Sequence, residues 1–452
     1  MTHLSIRNLT SKPLKLVRFE RFNGSKESTG TTLGNVVGTV SSFLNATDFS
    51  RTKLVVKSDA KHEQDVSIDL PAFETRETDI EVPNKPDNEV VRIQFENEGN
   101  KYETDVPSPS KKSSELKSLD GGDLQITAVF VRGTGLITLL SSAQLHQWMG
   151  KLADDISLTC LSIPGTHNSP TCYVALPSVR CQAVDVREQL ANGVRFLDVR
   201  VSVDADNDEM ALVHSAFPIS LTGHKYFHDM VESVHGFLEE NPSETVIMSI
   251  KREGTGKGTD ADLGKHLHNR HISTKMESWW TESHIPTLGE ARGKIILMSR
   301  FRPDQDHQDR CGIQAAPWPD NCEDALAAGG LVRVQDFYEV TESTNIEKKR
   351  ALSCAHLERA AERQGNNSHI FVNFLTASNF FNATCWPERI AAKLNPSIIE
   401  YLCGCHGITG KGPHNLGVGD GATGIVVTDW VGANGDWNLV LCIVGMNAKL
   451  VQ

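Results

Sequence analysis

Two histidines, His167 and His214, and three cations, Arg200, Lys251 and Arg300, stand just after short apolar runs of this sequence. Imidazole titrates near neutral pH, so such a pair supplies a general base and a general acid together. Guanidinium groups bind two phosphate oxygens at once, and an ammonium adds a compact positive charge. Two imidazoles among cations are equipment for cleaving a phosphodiester through an internal hydroxyl. One histidine removes the hydroxyl proton, the other protonates the leaving oxygen, and arginine stabilises the charge gathering on phosphorus. Asp198, Asp336 and Asp429 could orient a histidine or hold the guanidinium groups. A metal-centred reading is weaker, because Arg and Lys donate hydrogen bonds and do not ligate.

The elements that must position these residues are strands. In Leu158–Ser169, LTCLSIPGTHNS, a short apolar run stopped by Pro-Gly delivers His167 and Asn168 to what reads as a strand end. Seven further runs follow: Val194–Val199, Ala211–Val213, Thr245–Ile250, Lys294–Met298, Leu331–Val334, His369–Phe374 and Thr423–Val427. After them come Asp198 and Arg200, His214, Lys251, Arg300, Gln335 and Asp336, Asn373, and Asp429. Helical spacing is visible in Ala143–Leu152, in His228–Glu240 (ended by Asn241-Pro242) and in Glu347–Arg363. Eight runs alternating with helices or long connections predict an α/β (β/α)8 TIM-type barrel, regular or irregular, over residues 141–452. Barrel enzymes keep their chemistry at the C-terminal strand ends, so these polar residues are expected to line one cleft.

Residues 1–140 have a different grammar. Leu4–Arg7, Leu14–Phe19, Lys53–Lys57, Asp65–Asp69, Glu77–Val82, Val90–Phe95 and Leu124–Val131 are short β-branched or alternating runs between Gly, Asn, Pro and Ser clusters. This predicts an all-β sandwich with no catalytic constellation of its own. The Ser/Lys-rich segment Pro107–Gly122 reads as a loop or linker.

Composition sets the outer limits. A chain of 452 residues is long for one core, so two domains are expected. With 45 basic and 57 acidic side chains the formal charge is −12, which argues against nucleic acid as a partner. No run of about 18 apolar residues could span a membrane. The start MTHLSIRN lacks the pattern of a secretory leader. A cytoplasmic or peripheral-membrane protein, acting as a monomer with free thiols, is therefore expected, with other export routes left open. The ten cysteines all lie from Cys160 onward, and Cys403-Gly-Cys405 lacks a second pair at zinc-finger spacing. Aromatic residues at Trp279-Trp280, Phe380-Phe381 and Trp386 fall in connections where they could dip into a bilayer interface.

The motifs SIPGTHNS, GVRFLDVRV, LVHS, NPSETVIMSIKRE, ARGKIILMSRF, VQDFY and GIVVTDW together resemble the X-region of phosphatidylinositol-specific phospholipases C of the bacterial, metal-independent type. The resemblance runs from about Ser141 to Gly445. The first 140 residues look like an accessory β domain attached to this region in some fungal proteins. The resemblance implies His167 as the base for the inositol 2-hydroxyl, His214 as the acid for the diacylglycerol oxygen, and Arg200 as the phosphate-stabilising arginine. It implies that Asp429 orients His167, that Asp198 lies beside Arg200, and that Arg300, Asp336 and Tyr338 contact the inositol ring; Asn168 and Lys251, the latter where the calcium-dependent enzymes carry a metal-binding glutamate, are expected among the substrate-binding residues. The implied substrate is an inositol phospholipid or related inositol phosphodiester, the products are diacylglycerol and a cyclic inositol phosphate, and no cofactor is implied. One departure stands out. Asn168 follows the base histidine where the bacterial enzymes carry Asp, as in the calcium-dependent enzymes, which leaves calcium near Asn168 and Asp198 as an alternative. Two other readings compete: a non-catalytic module binding phosphoinositide or protein, and a glycerophosphodiesterase-like barrel enzyme.

Overall fold

The computed structural model describes residues 2–28, 52–56, 59–83, 89–107, 113–131, 133–141, 144–176, 178–362, 368–412 and 421–451. Lys57, Ala143, Arg363 and residues 108–112, parts of segments named above, lie outside these. Internal contacts divide the chain into two units: Met1–Ala143 with Ile399–Cys405, and Gln144–Ile398 with His406–Gln452.

The first unit holds strands β1 (Thr2–Asn8), β2 (Leu14–Ser28), β3 (Thr52–Val56), β4 (His62–Leu70), β5 (Thr75–Val82) and β6 (Glu89–Asn97). It continues with β7 (Asn100–Val106), β8 (Ser113–Glu115), β9 (Lys117–Ser118), β10 (Ile126–Val131) and β11 (Leu136–Ser141). They make two sheets, β5-β1-β11-β10-β8 and β3-β2-β6-β7-β9, with β4 on β2. Leu4, Ile6 and Leu139 from one sheet and Leu16, Ile93, Phe95 and Tyr102 from the other are buried in one apolar cluster. The segment read as a linker contributes β8 and β9. Strand β7, NKYETDV, escapes a hydrophobic test because most of its residues are polar. Its signal is Glu98-Gly99, both at positive φ (50° and 86°), the two-residue turn that joins it to β6.

The second unit contains β12 (Ser162–Thr166), β13 (Phe196–Asp204), β14 (Asn207–His214), β15 (Phe217–Pro218), β16 (Val246–Arg252) and β17 (Trp279–Trp280). Then come β18 (Ile295–Ser299), β19 (Ile313–Gln314), β20 (Ala325–Leu326), β21 (Val332–Gln335), β22 (Ile370–Phe374) and β23 (Gly424–Thr428). Seven strands pair in parallel in the order β18-β16-β13-β12-β23-β22-β21. The first of them in the chain, β12, pairs with the last, β23, from Ser162↔Gly424 to Thr166↔Thr428, as a barrel requires. Strands β12, β18 and β23 are buried at every position, the mark of parallel strands covered on both faces. Among the described residues no ladder joins β19, which lies on β18, to β21, so this barrel has an open seam.

Two departures from the sequence reading matter for the site. The run Ala211–Val213 is no barrel stave: β14 folds back antiparallel on β13, with Val201 opposite Leu212. The first run is also displaced. Leu158–Cys160 is a 3-10 turn, and Pro164-Gly165 lies inside the strand rather than stopping it. Pro164 is tolerated because its carbonyl, accepting from Arg195 N–H (2.9 Å), faces β13, so the missing N–H faces the same side, where that ladder only begins at Gly165. Gly165 is needed for close approach, since a Cβ there would lie 2.9 Å from the Phe196 ring.

Helices α1 (Val186–Ala191), α2 (Phe227–Glu240), α3 (Asp260–Leu267), α4 (Leu288–Ala291), α5 (Ser343–Ala361), α6 (Pro387–Gly404) and α7 (Asn438–Gly445) fill the connections. In α2, Phe227, Met230, Val231, Val234, Phe237 and Leu238 form the buried stripe expected of an amphipathic helix. The segment expected as a helix from Ala143 is a broken 3-10 turn, Leu145–Lys151, that buries Trp148 and Met149.

The end of the barrel away from the mouth is tied by a fully buried pair, Arg195 and Glu244, just ahead of β13 and β16. Arg195 spends its donors on Glu244 and on the carbonyls of Leu145, His146, Leu190 and Val194. Removing one partner strands a buried charge, so Arg195→Ala is expected to cost about 3–5 kcal/mol in urea unfolding. A change within about 0.5 kcal/mol would show that the pair does not anchor the barrel.

Candidate active site

The mouth is built from strand ends. His167 follows β12 directly; its N–H still donates to Thr428 O (3.0 Å), so its side chain is aimed by the β12–β23 ladder. Asn168 then takes a left-handed conformation (φ 40°), which Asn tolerates better than most residues, and turns the chain away. On β13, Asp198 and Arg200 are two apart and share a face. Strand β13 overshoots the mouth and β14 returns it, so His214 reaches the same level from the hairpin's return arm.

His167 Nδ1 lies 3.0 Å from Asp429 Oδ1, and its ring centroid is 5.5 Å from that of His214, edge to face. With Nδ1–H given to the carboxylate, Nε2 is the free basic nitrogen. Asp198 is buried. It accepts from Arg200 Nη2 (3.2 Å), Arg300 Nη1 (3.1 Å) and the Asn168 N–H (3.0 Å), with His167 Nε2 at 4.0 Å. Burial alone would raise its pKa, but Arg200 and Arg300 hold the carboxyl well below the usual range. Arg300 also lies 3.7 Å above the Trp318 ring, and Trp318 Nε1 donates to Asp336 Oδ2 (3.2 Å). Tyr338 OH donates to Asp320, and burial followed by that carboxylate pushes the phenol up to about 12.

The sequence reading misses Glu253. Arg200 on β13 sits opposite Lys251 on β16, two like charges side by side. Glu253 resolves this by accepting from Arg200 Nη1 (3.2 Å) and Lys251 Nζ (2.7 Å), and from the Ser215 N–H (2.9 Å) beside His214. Its signal in the sequence is parity: two residues after Lys251, it shares that face of the strand. His214 Nδ1–H donates to Val179 O (2.8 Å), leaving Nε2 for chemistry. Burial, then Arg200 and His167, push the His214 pKa down to about 3.

These groups surround a cavity of about 510 Å³, inside the range of small-molecule sites. His167, Arg200, His214, Lys251, Arg300, Asp336, Tyr338 and Asp429 all line it, together with Glu253, Trp318 and Asp320. Asp198 lies beneath its floor. Asn168, expected among the substrate contacts, has a fully buried side chain and is not part of the lining; what it offers the site is its backbone N–H. Gln335 and Asn373 also turn away from the cavity. Gln335 Nε2 donates to Asn373 Oδ1 (2.8 Å), and the buried Lys349 donates to Gln335 Oε1 (3.0 Å), a polar clamp beneath the ends of β21 and β22.

Burial would raise the Glu253 pKa, but Arg200 and Lys251 outweigh it and bring the value from 4.5 to about 2. A depressed carboxylate stabilises the fold above its unfolded pKa, and that stability is lost as pH falls through the folded value. The unfolding free-energy difference between wild type and Glu253→Gln should therefore be constant above about pH 5 and shrink between 4.5 and about 2. A difference independent of pH across that window would count against the pairing.

Residues 155–301 match the family model described as phosphatidylinositol-specific phospholipase C, X domain. The 1-phosphatidylinositol phosphodiesterase of Staphylococcus aureus (strain Newman) is 28% identical over 276 residues, covering 57% of this chain and 83% of the relative. That of Listeria monocytogenes is 27% identical over 274 residues, covering 58% and 77%. A solved structure of the S. aureus phosphatidylinositol-specific phospholipase C superposes with a TM-score of 0.55 at 25% identity, over 67% of this chain and 98% of that one. The Listeria structure, at 20% identity and TM-score 0.51, shares the fold. These similarities support placing the region around residues 155–301 in the phosphatidylinositol-specific phospholipase C X-domain family.

Proposed function

We propose that this protein is a phosphatidylinositol-specific phospholipase C-like phosphodiesterase that cleaves inositol phospholipids to diacylglycerol and a cyclic inositol phosphate. The observation that carries the reading is the pair His167–Asp429 and His214 on one cavity with Arg200 between cations and carboxylates. His167 Nε2 takes the proton of the inositol 2-hydroxyl, whose oxygen bonds to phosphorus. The bond from phosphorus to the glycerol oxygen breaks, and His214 Nε2 delivers its proton to that oxygen. Arg200, pinned by Asp198 and Glu253, meets the charge gathering on phosphorus. Arg300, Lys251, Asp336 and Tyr338 are the headgroup contacts.

In the free site His214 is neutral at pH 7, since burial and Arg200 depress its pKa. A bound phosphodiester places a negative charge beside both imidazoles and Arg200, which raises the His214 pKa and arms the acid. The reaction needs no metal on this reading. The two carboxylates nearest the phosphate position, Asp198 and Glu253, are already committed to guanidinium and ammonium groups, whereas calcium takes six to eight oxygens.

Access to lipid is supplied by an apolar lip. Tyr173, Val174 and Leu176 after β12, Phe217 and Leu221 beyond β14, and Phe380 and Phe381 after β22 are exposed. Phe217 and Phe380 stack with ring centroids 6.2 Å apart. Trp279 and Trp280 do not belong to it: they are buried, and pair with Ile295 and Ile296 at the end of β18 away from the mouth. Residues 1–140 serve as an accessory β sandwich, and the enzyme acts as a monomer without nucleic acid.

Cyclic inositol phosphate release from phosphatidylinositol vesicles in excess chelator is the direct test. His167→Ala and His214→Ala should each lower the rate by about 10²-fold or more. Product only on adding calcium, or an unchanged rate in either variant, would refute the mechanism. Phe380→Ser with Phe381→Ser should weaken vesicle binding and raise KM for vesicles while leaving turnover of a soluble inositol phosphodiester unaltered. Loss on both substrates would mean that the lip is structural.

A further inference from the structure

Cys181 stands behind His214 on the chain that runs from Thr171 to Gln182 beneath the mouth. This chain is pinned to the barrel. The Cys181 N–H is shared between Thr171 O (3.3 Å) and Oγ1 (3.1 Å), and its carbonyl accepts from Trp430 N–H (2.9 Å). Gln182 Nε2 donates to His167 O (2.7 Å) and Thr428 O (3.0 Å). The thiol is fully buried, 3.6 Å from His214 Nδ1. One ligand atom each from His167, Cys181 and His214 lies within 4.8 Å of the other two, the one such grouping of His, Cys, Asp or Glu among the described residues.

We propose that these three side chains form a binding site for a soft divalent cation of the zinc class, and that its occupation switches the enzyme off. Inhibition rests on the base and acid roles given to the two histidines; metal binding does not. One thiolate and two imidazoles are a zinc donor set, unlike the oxygen cage of calcium. Zinc–sulfur bonds of about 2.3 Å and zinc–nitrogen bonds of about 2.0–2.1 Å at a tetrahedral angle put sulfur and nitrogen about 3.6 Å apart. Cys181 Sγ and His214 Nδ1 already have that separation. His167 is prepared as a ligand: Asp429 holds Nδ1 and leaves Nε2 to the metal, the carboxylate–histidine support common at such sites. His167 and His214 line the cavity, so water can reach the ion from that side. The four cations of the lining, Arg200, Lys251, Arg300 and Arg302, are answered by Glu253, Asp260, Asp320, Asp336 and Asp429, so the ion does not enter a net positive pocket.

Binding is an exchange without redox change. The cation takes the place of the Cys181 thiol proton, which passes to water, while the His214 proton moves from Nδ1 to Nε2 as Nδ1 trades its Val179 hydrogen bond for the metal. Once bound, the His167 lone pair is occupied and His214, its Nδ1 held by the metal, can no longer become the imidazolium that acts as the acid.

The test uses the full chain, stripped with chelator and titrated with Zn²⁺ by calorimetry and with Co²⁺ by near-ultraviolet absorption. Wild type should bind one tight equivalent and show a thiolate-to-cobalt charge-transfer band. Both should be lost in Cys181→Ala, and His167→Ala should weaken binding at least tenfold. In the vesicle assay Zn²⁺ should inhibit wild type, and chelator should restore turnover. Half-inhibition should move at least tenfold higher in Cys181→Ala, each rate being taken relative to that variant's own metal-free rate. If circular dichroism shows Cys181→Ala unfolded, His167→Ala carries the comparison. A tight site and charge-transfer band unchanged in either folded variant would place the metal on other cysteines and overturn the proposal. Wild type that binds Zn²⁺ without losing turnover would overturn the switch. Absence of any turnover counts against the proposed function alone, because the titrations still decide the site.

Discussion

The Asp198 carboxylate is the constraint on which the mouth depends. Fully buried, it would be costly to ionise by itself, yet Arg200, Arg300 and the Asn168 N–H converge on it and keep it charged. Each of those groups has a second task. Arg200 lines the cavity, Arg300 presents its guanidinium to the Trp318 ring, and Asn168 turns the chain that carries His167. One buried charge thus sets the spacing between His167, Arg200 and Arg300.

Glu253 plays the matching part on the other side. Parallel register puts Arg200 and Lys251 next to each other, and cations so placed repel unless a carboxylate lies between them. Glu253 does this and also holds the Ser215 N–H, which ties the His214 turn to the same electrostatic frame. Burial within this frame, with Arg200 nearby, depresses the imidazole of His214.

Much of this was legible beforehand because it is periodic or local. Buried runs such as Ile295–Ser299 and Gly424–Thr428 are uniformly apolar, and α2 carries an unbroken helical stripe. Polar residues directly after those runs mark strand ends. What was not legible depends on pairing. Ala211–Val213 has the composition of a stave, but only its antiparallel partner, Val201–Asp204, shows it to be a return arm. Trp279-Trp280 resembles a membrane anchor in sequence, yet pairing with Ile295 and Ile296 buries it. Asn168, Gln335 and Asn373 read as cleft residues because strand-end position does not say which way a side chain turns.

The sequence by itself determined which residues could do the chemistry and on which strands they stand. It did so because side-chain type, apolar period and motif order are properties of neighbours along the chain. Only the tertiary structure decided how they are charged and aimed. The 3.0 Å contact of His167 with Asp429, 262 residues away in the chain, selects the basic nitrogen. Burial beside Arg200 sets the protonation of His214, and Glu253 becomes part of the site through its neighbours on β13. Desolvation and Coulomb terms depend on distances between strands, and no linear spacing encodes those.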